Sequence, residues 1–212
     1  MKWLKRALMF IMATAVVSAP FIGWQKVCAL LAGVILILAF IPYFIAIVKG
    51  ETKPSKASWI VWASLDIVAF AGMLMKGSLN YMIGAAVICA TTTVFFSFKY
   101  GAPGWTTLEK FCIAGAAIGF IILAINPLLS IYISLILLFV GAFPTFSHAW
   151  KDPSREDKFA WTLFWLSCVF GLLGTTIWDT AHAGQPIVFF IIESTMMYIL
   201  YIRARSLKSA TS

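Results

Sequence analysis

Charge is what this chain has least of. Only 11% of its 212 residues are Asp, Glu, Lys or Arg, where a soluble globular domain carries about 25%. With 62% hydrophobic residues beside it, that scarcity excludes a soluble globule. Acidic residues are rarer than basic ones, 8 against 16. The surplus of +8 does not point to a nucleic-acid partner, because the Lys and Arg gather between apolar runs and at the chain ends, where they set topology in a bilayer. Four cysteines without a C-x-x-C pair exclude a disulfide framework and a zinc site, and read as small buried hydrophobes. Two histidines, His148 and His182, fall on opposite sides of the expected membrane and cannot share a metal or haem. The H-E-x-x-H, G-x-S-x-G and Walker motifs are missing, so no enzyme activity, cofactor or metal is expected.

What the chain has in quantity is long apolar sequence. Eight runs span roughly 7–24, 27–48, 58–75, 80–98, 108–125, 128–150, 159–178 and 186–202. A bilayer core of about 30 Å needs about 20 helical residues, so each run is near the length of a crossing. Pro127 and Pro186 shorten the fifth and eighth, standing where a helix starts or a loop ends. The first run follows Met-Lys-Trp-Leu-Lys-Arg and lacks a good small-x-small cleavage site, so it reads as a retained helix.

Basic residues orient the runs. With the N-terminus inside, 14 of the 16 fall on the inner side: Lys2, Lys5, Arg6, Lys49, Lys53, Lys56, Lys99, Lys110, Lys151, Arg155, Lys158, Arg203, Arg205 and Lys208. Lys26 and Lys76 fall outside. This split predicts eight transmembrane helices with both termini cytoplasmic. Trp24, Trp59, Trp105, Trp150, Trp161 and Trp178 near the run ends read mostly as an interfacial aromatic belt.

The chain also repeats itself. At an offset of 102, Pro42, Phe44, Lys49, Lys56, Trp59 and Gly72 are matched by Pro144, Phe146, Lys151, Lys158, Trp161 and Gly174, without a gap. Identities in one register mark an internal duplication, which divides the chain into halves 1–100 and 101–212 within one membrane domain. The offset lays helices two, three and four on six, seven and eight with the same direction, giving parallel repeats about an axis along the membrane normal. Helices one and five either belong to a doubled four-helix unit or each precede a three-helix bundle.

A proline on the inner half of the first bundle helix, a Lys-rich loop and then Ser-Trp, all present twice, resembles the PQ-loop and SWEET-like transporters. Pro42-Tyr43, Lys49-Gly50, Pro54, Ser58-Trp59 and Trp62, with Phe143-Pro144-Thr145, Ala149-Trp150, Pro153 and Trp161, look like a group of eight-helix bacterial membrane proteins. The resemblance covers roughly 27–202. It implies an all-α fold of two three-helix bundles, each preceded by one helix, and transport by alternating access. The Pro-Gln pair is replaced by Pro42-Tyr43 and Pro144-Thr145, and helices four and eight have no mid-depth asparagine, which argues against sugar as the substrate.

Two carboxylates lie inside apolar runs. Asp66 is ten residues from Lys56 and Glu193 ten from Arg203, which puts each about 15 Å from its inner anchor, near mid-membrane. A central carboxylate costs about 2.5–3.5 kcal/mol on insertion scales. Each therefore either holds helices together as a neutral acid or couples proton or cation movement. Thr91-Thr92-Thr93 aligns with Glu193-Ser194-Thr195 in the repeat register, a candidate substrate-binding band across a pathway, with helix packing by hydroxyls as the plain alternative. Pro42 and Pro144 are candidate hinges or fixed kinks. Tyr43, Trp62, Phe146 and Trp165 are candidate gate or pocket aromatics. The expectation is a transporter of a small polar solute or cation, proton-coupled through Asp66 or Glu193, in contact with the lipid bilayer and either monomeric or a homodimer. The alternative is a receptor or assembly subunit that docks partners on its inner loops.

Overall fold

The computed structural model describes residues 2–204, with the side chains of Lys2, His148 and Arg155 outside the description. Arg205, Lys208 and the imidazole of His148, all named above, therefore lie outside the described residues. Nine α-helices follow one another within those bounds. They are α1 (Lys2–Ile22), α2 (Trp24–Val48), α3 (Lys56–Met75), α4 (Tyr81–Tyr100), α5 (Thr107–Leu123), α6 (Pro127–Gly141), α7 (Phe143–Lys151), α8 (Lys158–Gly174) and α9 (Thr180–Met197). A π-helical segment, Tyr198–Arg203, continues α9.

Short polar residues start the helices. Asn80 accepts from the Ile83 amide at 2.8 Å, Asn126 from Leu129 at 3.1 Å, and Asp179 from His182 at 2.9 Å. Each satisfies an amide that the first turn leaves without a helical partner. Gly23, at φ 86°, makes the tight reversal between α1 and α2.

Six helical stretches are long and apolar enough to cross a membrane: Trp3–Ile22, Trp24–Val48, Lys56–Met75, Tyr81–Tyr100, Pro127–Lys151 and Thr180–Arg203. The remaining two rods, α5 and α8, have 17 residues each and reach about 25 Å, at the short end of the spanning range. Large apolar side chains face outward, among them Phe10, Phe21 and Ile125, which are 74%, 84% and 82% exposed. An exterior of this kind suits lipid rather than water. The fold is all-helical and built as a multi-pass membrane protein.

Contacts fix the directions. Ser55 bridges Ala102 and Gly174 meets Ala29, so α3 runs against α4 and α8 against α2. Cys112 meets the Leu137 carbonyl and Gly72 meets Pro127 and Ile131, so α6 runs against both α5 and α3. The helices therefore alternate, and every segment carrying the inner-side basic residues comes to one end, here called the Lys-rich end. Lys26 and Lys76 lie at the far end.

Packing follows a two-fold pattern. Within 24–100, α4 packs along both α2 and α3; within 127–203, α9 packs along both α6 and α8. Between the halves, α2 lies on α8 and α3 on α6. The repeated glycines sit at these two seams. A Cβ on Gly72 would stand 2.7 Å from Ile131, and one on Gly174 would stand 2.5 Å from the Ala29 nitrogen. The preceding helices obey the same rule: α5 packs on α6 and α3, and α1 packs on α2, with Leu4 and Ala15 in one cluster with Leu163 of α8.

The ungapped register does not survive. α3 and α8 begin 102 residues apart, but α8 is three residues shorter, so α4 and α9 begin 99 apart. At the Lys-rich end the offset is 103, because Lys56 lies over the Phe98 ring at 5.4 Å and Lys158 over Tyr201 at 5.3 Å. The wider π turns of Tyr198–Arg203 belong to this lengthening.

Candidate functional site

The two prolines differ. α2 runs unbroken through Pro42, whereas the second copy breaks at Ala142 and restarts at Phe143, with Pro144 in the first turn of α7. A proline in a first turn removes no helical hydrogen bond. The helix is interrupted just before Pro144, whereas α2 is continuous through Pro42.

At the Lys-rich end the aromatic rings form a plug. Phe40 contacts Tyr43, Phe44, Trp59 and Phe164, with ring centroids 5.0–6.2 Å apart, and Trp59 contacts Trp62 at 5.3 Å. The Trp59 indole N–H donates to the Tyr43 hydroxyl at 3.1 Å, which fixes both rings. Of the aromatics singled out in the sequence, Tyr43 and Trp62 belong to this plug. Phe146 does not: it packs beside Phe143 and against Ala149, Met196, Ile199 and Leu200. Trp165 lies elsewhere too, donating to Ser194 at 3.0 Å and stacking near Phe190.

The polar band is split by helix geometry, because three consecutive residues on a helix point about 100° apart. Thr92 and Thr195 turn outward and donate to their own helices, to Ile88 and Ile191. Thr93 is fully buried and donates to Cys89 at 2.8 Å. Thr91 and Glu193 each keep a buried oxygen without a partner. Ser194 is taken by Trp165. Thr91 and Glu193 lie at depths that agree to within a helical turn, counted from the helix caps at one end and from the Lys–ring pairs at the other.

Asp66 is 4% exposed, and its Oδ1 has no partner. It lies one turn from Trp62, on the face of α3 that meets the plug. Glu193 is within electrostatic reach of Cys168, and Cys168 holds in α8 the position that Asp66 holds in α3. Each half thus carries one carboxyl at this level, buried Asp66 on the second helix of the first half and half-buried Glu193, with one buried oxygen, on the third helix of the second. Among the described residues no Lys or Arg pairs with either, and no cluster of three His, Cys, Asp or Glu is placed to hold a metal. All four cysteines are free and buried.

At the far end a cavity of about 150 Å³ opens between α2, α4, α8 and α9. Ala29, Asn80, Tyr81, Gly171, His182 and Pro186 are among the residues that line it. Cavity and plug are stacked along α2, α4 and α8. Between them lies a seam of Ala32, Leu36, Met82, Ala85, Ala86, Cys89 and Cys168.

One carboxylate was missed by reading the sequence. Glu109, only 8% exposed, takes four donors. Its Oε2 accepts from the Thr106 amide at 2.7 Å and hydroxyl at 2.8 Å, and its Oε1 accepts from the Ser55 hydroxyl at 3.2 Å and from that of Ser58. The Thr106-x-x-Glu109 spacing is a capping box and was available as a signal; it stood hidden at the edge of the fifth apolar run. The clamp ties α5 to the start of α3 and has no counterpart at α8, where Glu156 instead accepts the Trp161 indole N–H at 2.9 Å.

Compared with protein-family models, with curated proteins and with solved structures, the chain matches none.

Proposed function

We propose that the chain is a transporter of a small polar solute or cation that works by alternating access in a bacterial inner membrane, with its Lys-rich end cytoplasmic. The observation that carries this reading is the stacking of an open cavity at the far end and an aromatic plug at the Lys-rich end along the same helices, α2, α4 and α8. An opening at one end, with packed side chains from there to the aromatic rings at the other, is the form that one of the two states of alternating access would take.

The packing supports a SWEET-like arrangement of two parallel bundles. In each half the third helix packs along the first and the second, and the halves meet through equivalent pairs, α2 on α8 and α3 on α6. Rocking of one half against the other about these seams would open the plug and close the cavity. The break before Pro144 gives the second half a joint, while the Glu109 clamp ties α5 to the opening turn of α3.

Asp66 and Glu193 are the coupling groups of this reading. A carboxyl at mid-membrane with an unsatisfied oxygen is stable as the neutral acid, and ionises when a cation or water reaches it. Solute entry from the cavity would hydrate the seam near Cys168 and Glu193, and proton exchange there would bias the two states. Thr91 and Thr93 would supply hydroxyls on the opposite helix.

Proteoliposomes loaded with a pH-sensitive dye test this directly. Small polar solutes are added singly, and the wild type is expected to move protons with at least one. Asp66→Asn and Glu193→Gln should each abolish that flux. Solute-driven proton movement that persists in the double variant rules out coupling by these groups. A protein that moves no solute but co-purifies with a stoichiometric partner would instead be a receptor or assembly subunit.

A further inference from the structure

Gln185 of α9 is fully buried, and neither its Oε1 nor its Nε2 has a partner. We infer that α9 has a joint at Gly184-Gln185-Pro186 and that the sealed amide favours its bending. When the joint bends, the amide leaves the apolar interior for the water of the far-end cavity.

The amide is out of place where it stands. By helical spacing Gln185 shares a face with Ala181, Val188 and Phe189, which pack into the cluster of Ile83, Ile131 and Leu135. The side chains of those neighbours offer no donor or acceptor. A buried amide with both polar atoms unpaired costs stability that an apolar side chain of the same shape would not. Any arrangement of α9 that wets the amide is therefore favoured relative to the packed one. An opening lies one residue away, because Pro186 lines the far-end cavity together with Gly171.

The backbone at this point is suited to bending. Pro186 stands inside α9, not at a helix start or a loop end. It has no N–H for the His182 carbonyl, and its ring crowds that turn. Gly184, two residues earlier, lowers the helix propensity further. The two sides of the joint hold to different helices. Before it, Thr180 donates to the Tyr132 hydroxyl of α6 at 2.7 Å, and a Cβ on Gly184 would stand 2.7 Å from Leu135 of the same helix. After it, Ser194, the neighbour of Glu193, accepts from Trp165 of α8 at 3.0 Å. A bend at Pro186 turns the segment that carries Glu193 while the first turn stays on α6.

Hydrogen exchange of the full chain in detergent, read on peptides by mass spectrometry, tests the joint. Exchange at 187–192 of α9 reports its opening, and exchange at 131–138 of α6 is the reference. Gln185→Met keeps length and shape but removes both unpaired polar atoms. It should slow exchange at 187–192 about tenfold and leave the reference unchanged. Pro186→Ala returns an N–H to the His182 carbonyl and should slow the same stretch. Loss of the fold in Gln185→Met would mean that the amide is bonded, and overturns the proposal. Unchanged or faster exchange at 187–192 in either variant overturns it too. So does equal slowing in α9 and α6, which marks general stabilisation and no joint. Because no gradient or flux enters, the joint stands or falls without regard to the coupling role of Asp66 and Glu193.

Discussion

The Glu109 carboxylate of α5 accepts the Ser58 hydroxyl of α3, across 51 residues of sequence, and so joins the helix that precedes one bundle to the opening turn of the other. Ser58 belongs to the Ser-Trp pair, and its neighbour Trp59 enters the aromatic plug. The clamp therefore holds the plug's footing. Glu109→Ala leaves four donors without their acceptor and should destabilise the Lys-rich end by about 3 kcal/mol. Ser58→Ala removes one of the four and should cost about 1 kcal/mol. Limited trypsin digestion reads this locally, since cleavage after Lys56 should accelerate in the order wild type, Ser58→Ala, Glu109→Ala.

The repeated glycines make a graded prediction. Gly174→Ala drives a methyl to 2.5 Å from the Ala29 backbone nitrogen, which cannot move without shifting α2. Gly72→Ala meets the Ile131 side chain at 2.7 Å, and a side chain yields more readily. Gly84 has nothing within 4 Å of its Cβ position, so Gly84→Ala should be neutral or stabilising by up to about 1 kcal/mol through helix propensity. Thermal unfolding in detergent should rank the variants Gly174→Ala, Gly72→Ala, wild type, Gly84→Ala in rising order.

Asp179 at the far end gives a pH dependence of known sign. Hydrogen bonds from the His182 ring and then from the His182 amide hold its carboxyl below the usual range. A lowered value in the folded state means that stabilisation is complete above the ordinary Asp value of about 3.9 and is lost as the pH falls through the lowered one. Asp179→Asn retains the helix cap but does not titrate. The drop in melting temperature between pH 6 and pH 3 should be smaller in Asp179→Asn than in the wild type, and an equal drop would show that the pair contributes nothing.

Much of the architecture was legible because it rests on long-range regularities. Basic residues separated the two ends of the helices, and the repeated Pro, Lys, Trp and Gly identities pointed to the two-fold packing pattern. Gly72 and Gly174 even recur for the same reason, close approach of a second helix to the first helix of the other half. What could not be read was local winding. The three residues missing from α8 and the π turns after Met197 shift the register, and neither leaves a compositional trace. Facing was equally hidden: Thr92 and Thr195 lie beside buried neighbours in sequence yet point outward, because a step of one residue rotates a side chain by about 100°. Of the candidate gate or pocket aromatics, Trp165 donates to Ser194 of the polar band and Phe146 packs on the π segment, partners that their spacing in the sequence does not reveal. The unpartnered NH₂ of Asn80 is a property of three dimensions.

Alternating access is most directly tested by distances at the two ends of the cleft in one protein. Spin labels at Leu79 and Thr176 span the far-end cavity, and labels at Lys53 and Ser154 span the Lys-rich end, each pair placed on exposed loop positions. Asp66→Asn with Glu193→Gln mimics the protonated pair. Electron–electron resonance should show two populations at each end. Their weights should respond to pH in the wild type, shifting in opposite senses at the two ends, the far-end distance shortening as the Lys-rich distance lengthens, and should not respond to pH in the double variant. A single unchanged distance at both ends, in the wild type and in the double variant, would contradict the account.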